Sequence, residues 1–192
     1  MSSNGQPVSH SIDMSALVRR TVASLYSHLV TRPTGHALRL GIESQIAELG
    51  RFCVSVLDFT QVIVLDYSCA DEAVAKLILR YQRDDRPSDA YFIARGLSEQ
   101  HVEPIEEVLA RHDLALVAEI ESAGFTLLGH VSEEERDVWT LLHEVGAAEP
   151  DEISRRLDAV RRDVDAALGA LTRRRALLRR GSGYVSLTAL LD

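Results

Sequence analysis

Two stretches of this 192-residue chain hold the residue types and spacing that chemistry needs. The first is Asp66-Tyr67-Ser68-Cys69, where a carboxylate, a phenol, a hydroxyl and a thiol stand just ahead of an apolar helical stripe at Ala70, Val74, Leu77, Ile78 and Tyr81. The start of a helix presents unpaired N–H groups and the positive end of its dipole. A hydroxyl there can take a phosphoryl group whose charge the helix end favours. A thiol there can have its pKa lowered into the range of a redox sensor. Asp66, Tyr67 and Ser68 are therefore candidate switch-loop or phosphoacceptor residues, and Cys69 is a redox candidate. The same residues admit a plainer reading, with Ser68 as an N-cap, Asp71 and Glu72 in the first turn, and Cys69 as a small buried hydrophobe.

The second stretch is basic. Between Arg155 and Arg180 nine arginines stand against Asp158, Asp163 and Asp165, a local balance of +6 within a chain of net charge −8. The remaining residues therefore carry −14, a field that repels polyanions in general. Any nucleic-acid contact must be confined to the basic segment, and Arg161, Arg162, Arg173, Arg179 and Arg180 are the candidate DNA-contacting residues. Arginine suits guanine edges and phosphates because its donors form a planar fork. Asp165 and the small Ala166 and Gly169 share that helix face; they offer no base contacts and suit close packing against another protein equally well. Arg173, Arg174 and Arg175 also complement a helix C-terminus whatever the partner.

Other chemistry finds no support. The seven histidines lack the paired spacing of a zinc site, Gly181-Ser182-Gly183 leads toward a strand rather than a helix, and Ser68 has no nucleophile-elbow context. No metal, cofactor or enzymatic activity is expected. Cys53 and Cys69 are too few and too far apart for a disulfide scaffold or CxxC chemistry. The longest apolar runs, such as Val62 to Leu65, fall far short of the roughly 20 residues needed to span a bilayer. Residues 1–13 carry no basic cluster followed by an apolar core. No membrane association is expected, and the cytoplasm is the expected compartment.

The positioning elements follow from hydrophobic periodicity. With 46% hydrophobic and 26% charged residues the chain is globular in composition, which excludes wholesale disorder. Residues 1–13 read as a flexible tail. Apolar spacing predicts an amphipathic helix from Ser15 to about Val30 and a second from Thr34 to Leu49. Strands are predicted at Cys53–Phe59, Ala90–Ala94 and Leu114–Ile120, with an apolar segment at Val62–Leu65 and extended chain at Gly124–Leu128. Helices over residues 68–81 and from Ser98 through Leu109 separate them. This alternation predicts an α/β layer with a largely parallel sheet. Beyond Gly129 the pattern becomes helix from Glu133 to Val145, helix from Pro150 to Leu157, helix from Ala159 to Arg175, and a hairpin around Gly181-Ser182-Gly183. The boundary falls at Gly129–Ser132, dividing a unit at 14–129 from one at 130–192.

Two resemblances overlie this reading. Val56 through Ala70 resembles the STAS family of anti-sigma factor antagonist domains, with Leu57-Asp58-Phe59 as strand end and Asp66-Tyr67-Ser68-Cys69 as switch loop. The family's usual phosphoacceptor follows the aspartate directly, a place held here by Tyr67, and Cys69 stands for its glycine. Ser68-Cys69-Ala70-Asp71-Glu72 fits a divergent STAS-like branch better. Residues 130–192 resemble a winged helix-turn-helix domain, with Val164, Ala167, Leu168 and Leu171 as the buried face of its third helix and Leu177 through Val185 as its wing. The resemblances imply a STAS-like sheet-and-helix layer followed by a small α+β winged-helix domain. They also imply a strand over residues 22–30 where periodicity gives helix. The function implied is a non-enzymatic signalling or transcription regulator with a regulatory protein partner at the first unit and double-stranded DNA at the second. The alternative is an adaptor whose winged helix docks a protein. A homodimer is expected, with the face near Val102–Leu109 as a pairing surface.

Overall fold

A computed structural model of the chain describes residues 19–25, 27–50 and 52–191. The expected tail lies outside them. The elements of the first half are β1 (Arg19–Ser24), β2 (His28–Leu29), α1 (Arg32–Leu49), β3 (Phe52–Asp58), β4 (Val64–Leu65), α2 (Tyr67–Ala70), a π-turn (Asp71–Ala75), α3 (Lys76–Gln82), β5 (Asp89–Leu97), α4 (Glu99–Arg111), β6 (Ala115–Ile120) and β7 (Gly124–Gly129). The helix predicted over Ser15–Val30 is replaced, in its described part, by β1 and β2. Ala23 and Leu25, two positions apart, are both buried, and β1 runs parallel to β3 from Arg19 beside Cys53 to Ser24 beside Asp58. Helical spacing was present in the sequence, but β3 offers a complete row of backbone partners, and pairing with it satisfies both strands.

The main sheet has the order β1-β3-β5-β6-β7, parallel except for β7. Strand order that follows chain order has a topological consequence. Right-handed crossovers between successive parallel neighbours place every connecting helix on the same face. Here Ile42 and Ile46 of α1, Leu77 and Ile78 of α3 and Ile105, Val108 and Leu109 of α4 join Cys53, Leu57, Phe92 and Leu116 in one core. Ile105, Val108 and Leu109 are thus spent inside the protein and give α4 no apolar face for a second copy.

The opposite face would be bare, yet its strands are apolar on both sides: Val54, Tyr91, Ile93, Ala115, Val117 and Leu127 alternate with the first set. The second half covers it. Its elements are α5 (Glu133–Val145), β8 (Ala147–Ala148), α6 (Pro150–Leu157), α7 (Arg161–Arg173), β9 (Leu177–Arg180) and β10 (Gly183–Ser186), followed by a 3-10 turn at Thr188–Leu190. Val138, Trp139 and Leu142 of α5 and Val164, Leu168 and Leu171 of α7 share a core with those sheet residues. A short antiparallel sheet of order β8-β10-β9 closes this half. The sequence boundary at Gly129–Ser132 is a connection between layers of one packed body. Gly129 is required there: its φ is 104°, and a Cβ would lie 2.2 Å from the carbonyl oxygen of Leu114. The chain then enters α5 through a capping box, in which the Glu135 N–H donates to Ser132 Oγ and the Ser132 N–H to the Glu135 carboxylate, both at 3.2 Å.

Candidate functional site

The Asp66–Cys69 stretch opens the helical run of α2, the π-turn and α3. Asp66 itself is the cap. Its Oδ1 accepts from the N–H of Ser68 at 2.7 Å, from the N–H of Cys69 at 3.3 Å and from the Ser68 hydroxyl. The Ser68 hydroxyl bond, reinforced by the two backbone bonds against the cost of burial, holds the Asp66 pKa below the ordinary carboxylate value. A phosphoryl group on Ser68 would have to displace this bond and would face the same carboxylate. Tyr67 is exposed beside Glu103 and Glu107, and desolvation together with those carboxylates raises its pKa. Exposed Val30, Ile63 and Val64 complete this corner of the molecule.

Cys69 is fully buried, and desolvation, then Asp66 and Glu72, push its thiol up to about 11. That shift is the reverse of the one a redox-sensing thiol needs. The burial comes from α1 pressing on α2 at Gly35, where a Cβ would stand 2.8 Å from the Cys69 carbonyl oxygen.

Below the capped turn lies a charge cluster that sequence reasoning did not find. The π-turn carries Asp71 and Glu72, both nearly buried. Arg32 Nη1 donates to Asp71 Oδ2 at 3.2 Å and to Glu72 Oε1 at 2.9 Å, and His112 Nε2 lies 2.9 Å from Asp71 Oδ1. Lys76 bonds Glu72, and Arg39 stands 3.6 Å from it. Burial opposes ionisation of both acids. Hydrogen bonds from His112 and Arg32 to Asp71, and from Lys76 and Arg32 to Glu72, outweigh it and lower both pKa values. Asp71 and Glu72 were legible only as first-turn acids, and the Glu72–Lys76 spacing was the one available hint. π-turns occur often at functional positions; this one is satisfied by three cations within the fold.

The five candidate arginines do not converge. Arg161 and Arg173 sit at opposite ends of α7, about 18 Å apart at 1.5 Å per residue. Arg161 is held by Asp151 and by Asp165, the latter at 3.0 Å. Arg162 is 89% exposed, with Asp163 at 3.2 Å. Arg173, Arg179 and Arg180 are exposed. Their neighbours Arg174 and Arg175 are the half-buried ones. Arg174 Nη1 donates to both carboxylate oxygens of Glu135, at 2.8 and 2.7 Å, and its Nη2 to Asp113 at 2.8 Å. Arg175 donates to the Ala90 carbonyl at 3.0 Å and to Asp89 at 3.3 Å, with its guanidinium 4.0 Å from the centre of the Tyr91 ring. These two residues clasp the second half to the sheet.

Among the described residues no group of three or more His, Cys, Asp or Glu is arranged to hold a metal ion, and no helix is long and apolar enough to cross a membrane. The sequence matches no protein-family model, and no curated protein matches it.

Proposed function

We propose that the chain is a non-enzymatic regulator in which a STAS-like layer (β1 to β7) receives a signal from a protein partner and a winged helix (α5 to β10) binds double-stranded DNA. The observation that carries this reading is the placement of cations. In a molecule of net charge −8, Arg162 at the start of α7 and Arg179 and Arg180 on the β9–β10 hairpin stand exposed on the segment that would enter the groove and flank it. The small Ala166 and Gly169 between them allow close approach to a backbone. At the other end, the corner of Val30, Ile63, Val64 and Tyr67 offers the first unit an apolar contact beside its capped turn.

A second reading, the protein-binding adaptor, draws on one observation. Arg161 is neutralised by two aspartates, and the hollow beside α7 is lined by Glu134, Glu135, Asp163 and Ala166. Fluorescence anisotropy with mixed genomic DNA fragments across a salt series separates the two. For the DNA reader, binding falls steeply with salt, and Arg179→Ala/Arg180→Ala lowers the log–log slope by about 2, one per lost phosphate contact. Flat, negligible binding at low salt overturns it and leaves the adaptor.

A further inference from the structure

Between the loop after α3 and the C-terminal end of α7 lies an open cleft of about 640 Å³, within the size range of small-ligand sites and, like many of them, at the junction of two units. Its walls carry Arg86, Arg173, Arg175 and Arg179 against Asp84 and Asp89. The surplus is two positive charges. Asp89 is already shared by Arg86 at 2.8 Å and Arg175 at 3.3 Å, while Arg173 and Arg179 have no ion-pair partner among the described residues.

Arg175 is the unusual member. It ends α7 in the left-handed region, φ 58°, where glycine is the ordinary choice. The Arg175 N–H donates to Thr172 O at 3.0 Å and the Ala176 N–H to Leu171 O at 2.9 Å, so the turn fixes the side chain against Tyr91. That side chain is only 10% exposed. Burial lowers its pKa, and the nearby Arg86 adds to the effect, beyond what Tyr91 and Asp89 restore. Held by Asp89, the Ala90 carbonyl and the Tyr91 ring, this guanidinium adds its charge to the cleft wall while staying part of the fold.

The geometry points to a site, built jointly by the two halves, for a small phosphorylated metabolite whose phosphate oxygens are held by Arg173 and Arg179. Planar guanidinium forks match phosphate oxygens in pairs. The surplus charge matches a group bearing about two negative charges at neutral pH. Such a ligand would bridge the loop of the first half and α7 of the second, and it would stabilise their arrangement by mass action. The site shares Arg179 with the DNA reading, whereas Arg162, at the far end of α7, belongs to that reading alone, so its substitution tests DNA binding without touching the cleft.

The test is isothermal titration calorimetry of the full chain with inorganic pyrophosphate, at ionic strength held constant with sodium chloride. One saturable site is expected. Arg173→Gln/Arg179→Gln weakens it by at least about tenfold, the loss of one or more charge-assisted contacts, while Arg155→Gln leaves it unchanged. Circular dichroism and a urea midpoint verify that the double variant is folded. Absence of saturable binding, or equal binding by the double variant, overturns the site. Displacement of pyrophosphate by a short DNA duplex overturns the small-molecule ligand and assigns the cleft to DNA phosphates instead.

Discussion

The two ends of α7 carry the same residue type to opposite purposes. At its start, Arg161 and Arg162 have side chains 45% and 89% exposed, with aspartates reaching them from solvent-facing positions. Just past its end, Arg174 and Arg175 are 15% and 10% exposed and are joined to Glu135, Asp113, Asp89 and Tyr91. Formal charge counts all four alike. Burial separates them, because a guanidinium removed from water must recover its hydration from fixed partners. Part of the surplus that marks the second half as basic is therefore consumed within the fold, holding two layers together, and only the rest is available to a partner.

Removing a clasp residue is the strongest way to test this contrast. Arg174→Ala leaves Glu135, whose side chain is 12% exposed, without the guanidinium that bonds both its carboxylate oxygens, and cuts the link from α7 to Asp113 of the first half. The expected cost is about 3 kcal/mol, read as a lower urea midpoint. Arg175→Ala loses the contact with Tyr91 and the packing of its stem, for about 2 kcal/mol. A change near zero in both variants would break the contrast and reduce the clasp to a surface contact.

The π-turn acids test the same principle with the sign of charge reversed. Glu72→Gln weakens the bonds from Arg32 and Lys76 and is expected to cost about 2 kcal/mol at neutral pH. Acid titration sharpens the result. The folded pKa values of Asp71 and Glu72 are lowered, so between folded and unfolded values the unfolded chain binds more protons. Their contribution is complete above the unfolded carboxylate range, begins to fall below about pH 5, and is lost as pH passes down through the folded values. The gap between wild type and Glu72→Gln should narrow over that window, because protonation does what the substitution has done. A gap independent of pH would show that Glu72 acts through packing alone.

These two clusters also mark the limit of what the sequence made legible. Helix α5 (Glu133–Val145) and α6 (Pro150–Leu157) match their expected bounds, because each opens with strong terminal signals, Ser132 with Glu135 in one and Pro150 in the other. The largely parallel sheet was legible from alternation of apolar runs. Periodicity missed the first strand, since its apolar residues suit either period and the deciding partner, β3, lies some thirty residues on; only the STAS resemblance, which implied strand over residues 22–30, pointed to extended chain there. Nor did any local pattern show that the second half would cover the sheet. The hint was in β3, whose Cys53 to Leu57 run is buried at every position and so needed an apolar layer on both faces. The arginine partners were illegible for a plainer reason: Arg174 reaches Asp113 across 61 positions and Arg175 reaches Asp89 across 86.

The capped turn should respond more weakly than either cluster. Asp66→Ala removes the acceptor for two backbone N–H groups and is expected to cost about 1 kcal/mol, measured by urea denaturation. Ser68→Ala keeps the cap and should cost less than that. If Ser68→Ala proves the more damaging of the two, the assignment of Asp66 as the cap fails, and Ser68 takes the structural role that its neighbour has here.

The smallest effect belongs to the start of α7, and it is the one that separates surface cations from each other. Arg161→Ala should leave the urea midpoint unchanged, because exposed ion pairs exchange one solvated arrangement for another. On the proposed DNA reading, it also lowers affinity for DNA less than Arg162→Ala does. Asp151 and Asp165 already occupy the Arg161 guanidinium, so its transfer to a phosphate replaces two carboxylate contacts, while Arg162 has only the adjacent Asp163 to leave. Anisotropy on the two single variants at one low salt concentration measures the difference. Equal losses would mean that the aspartates release Arg161 at no cost, and the contrast would then rest on the buried end of the helix alone.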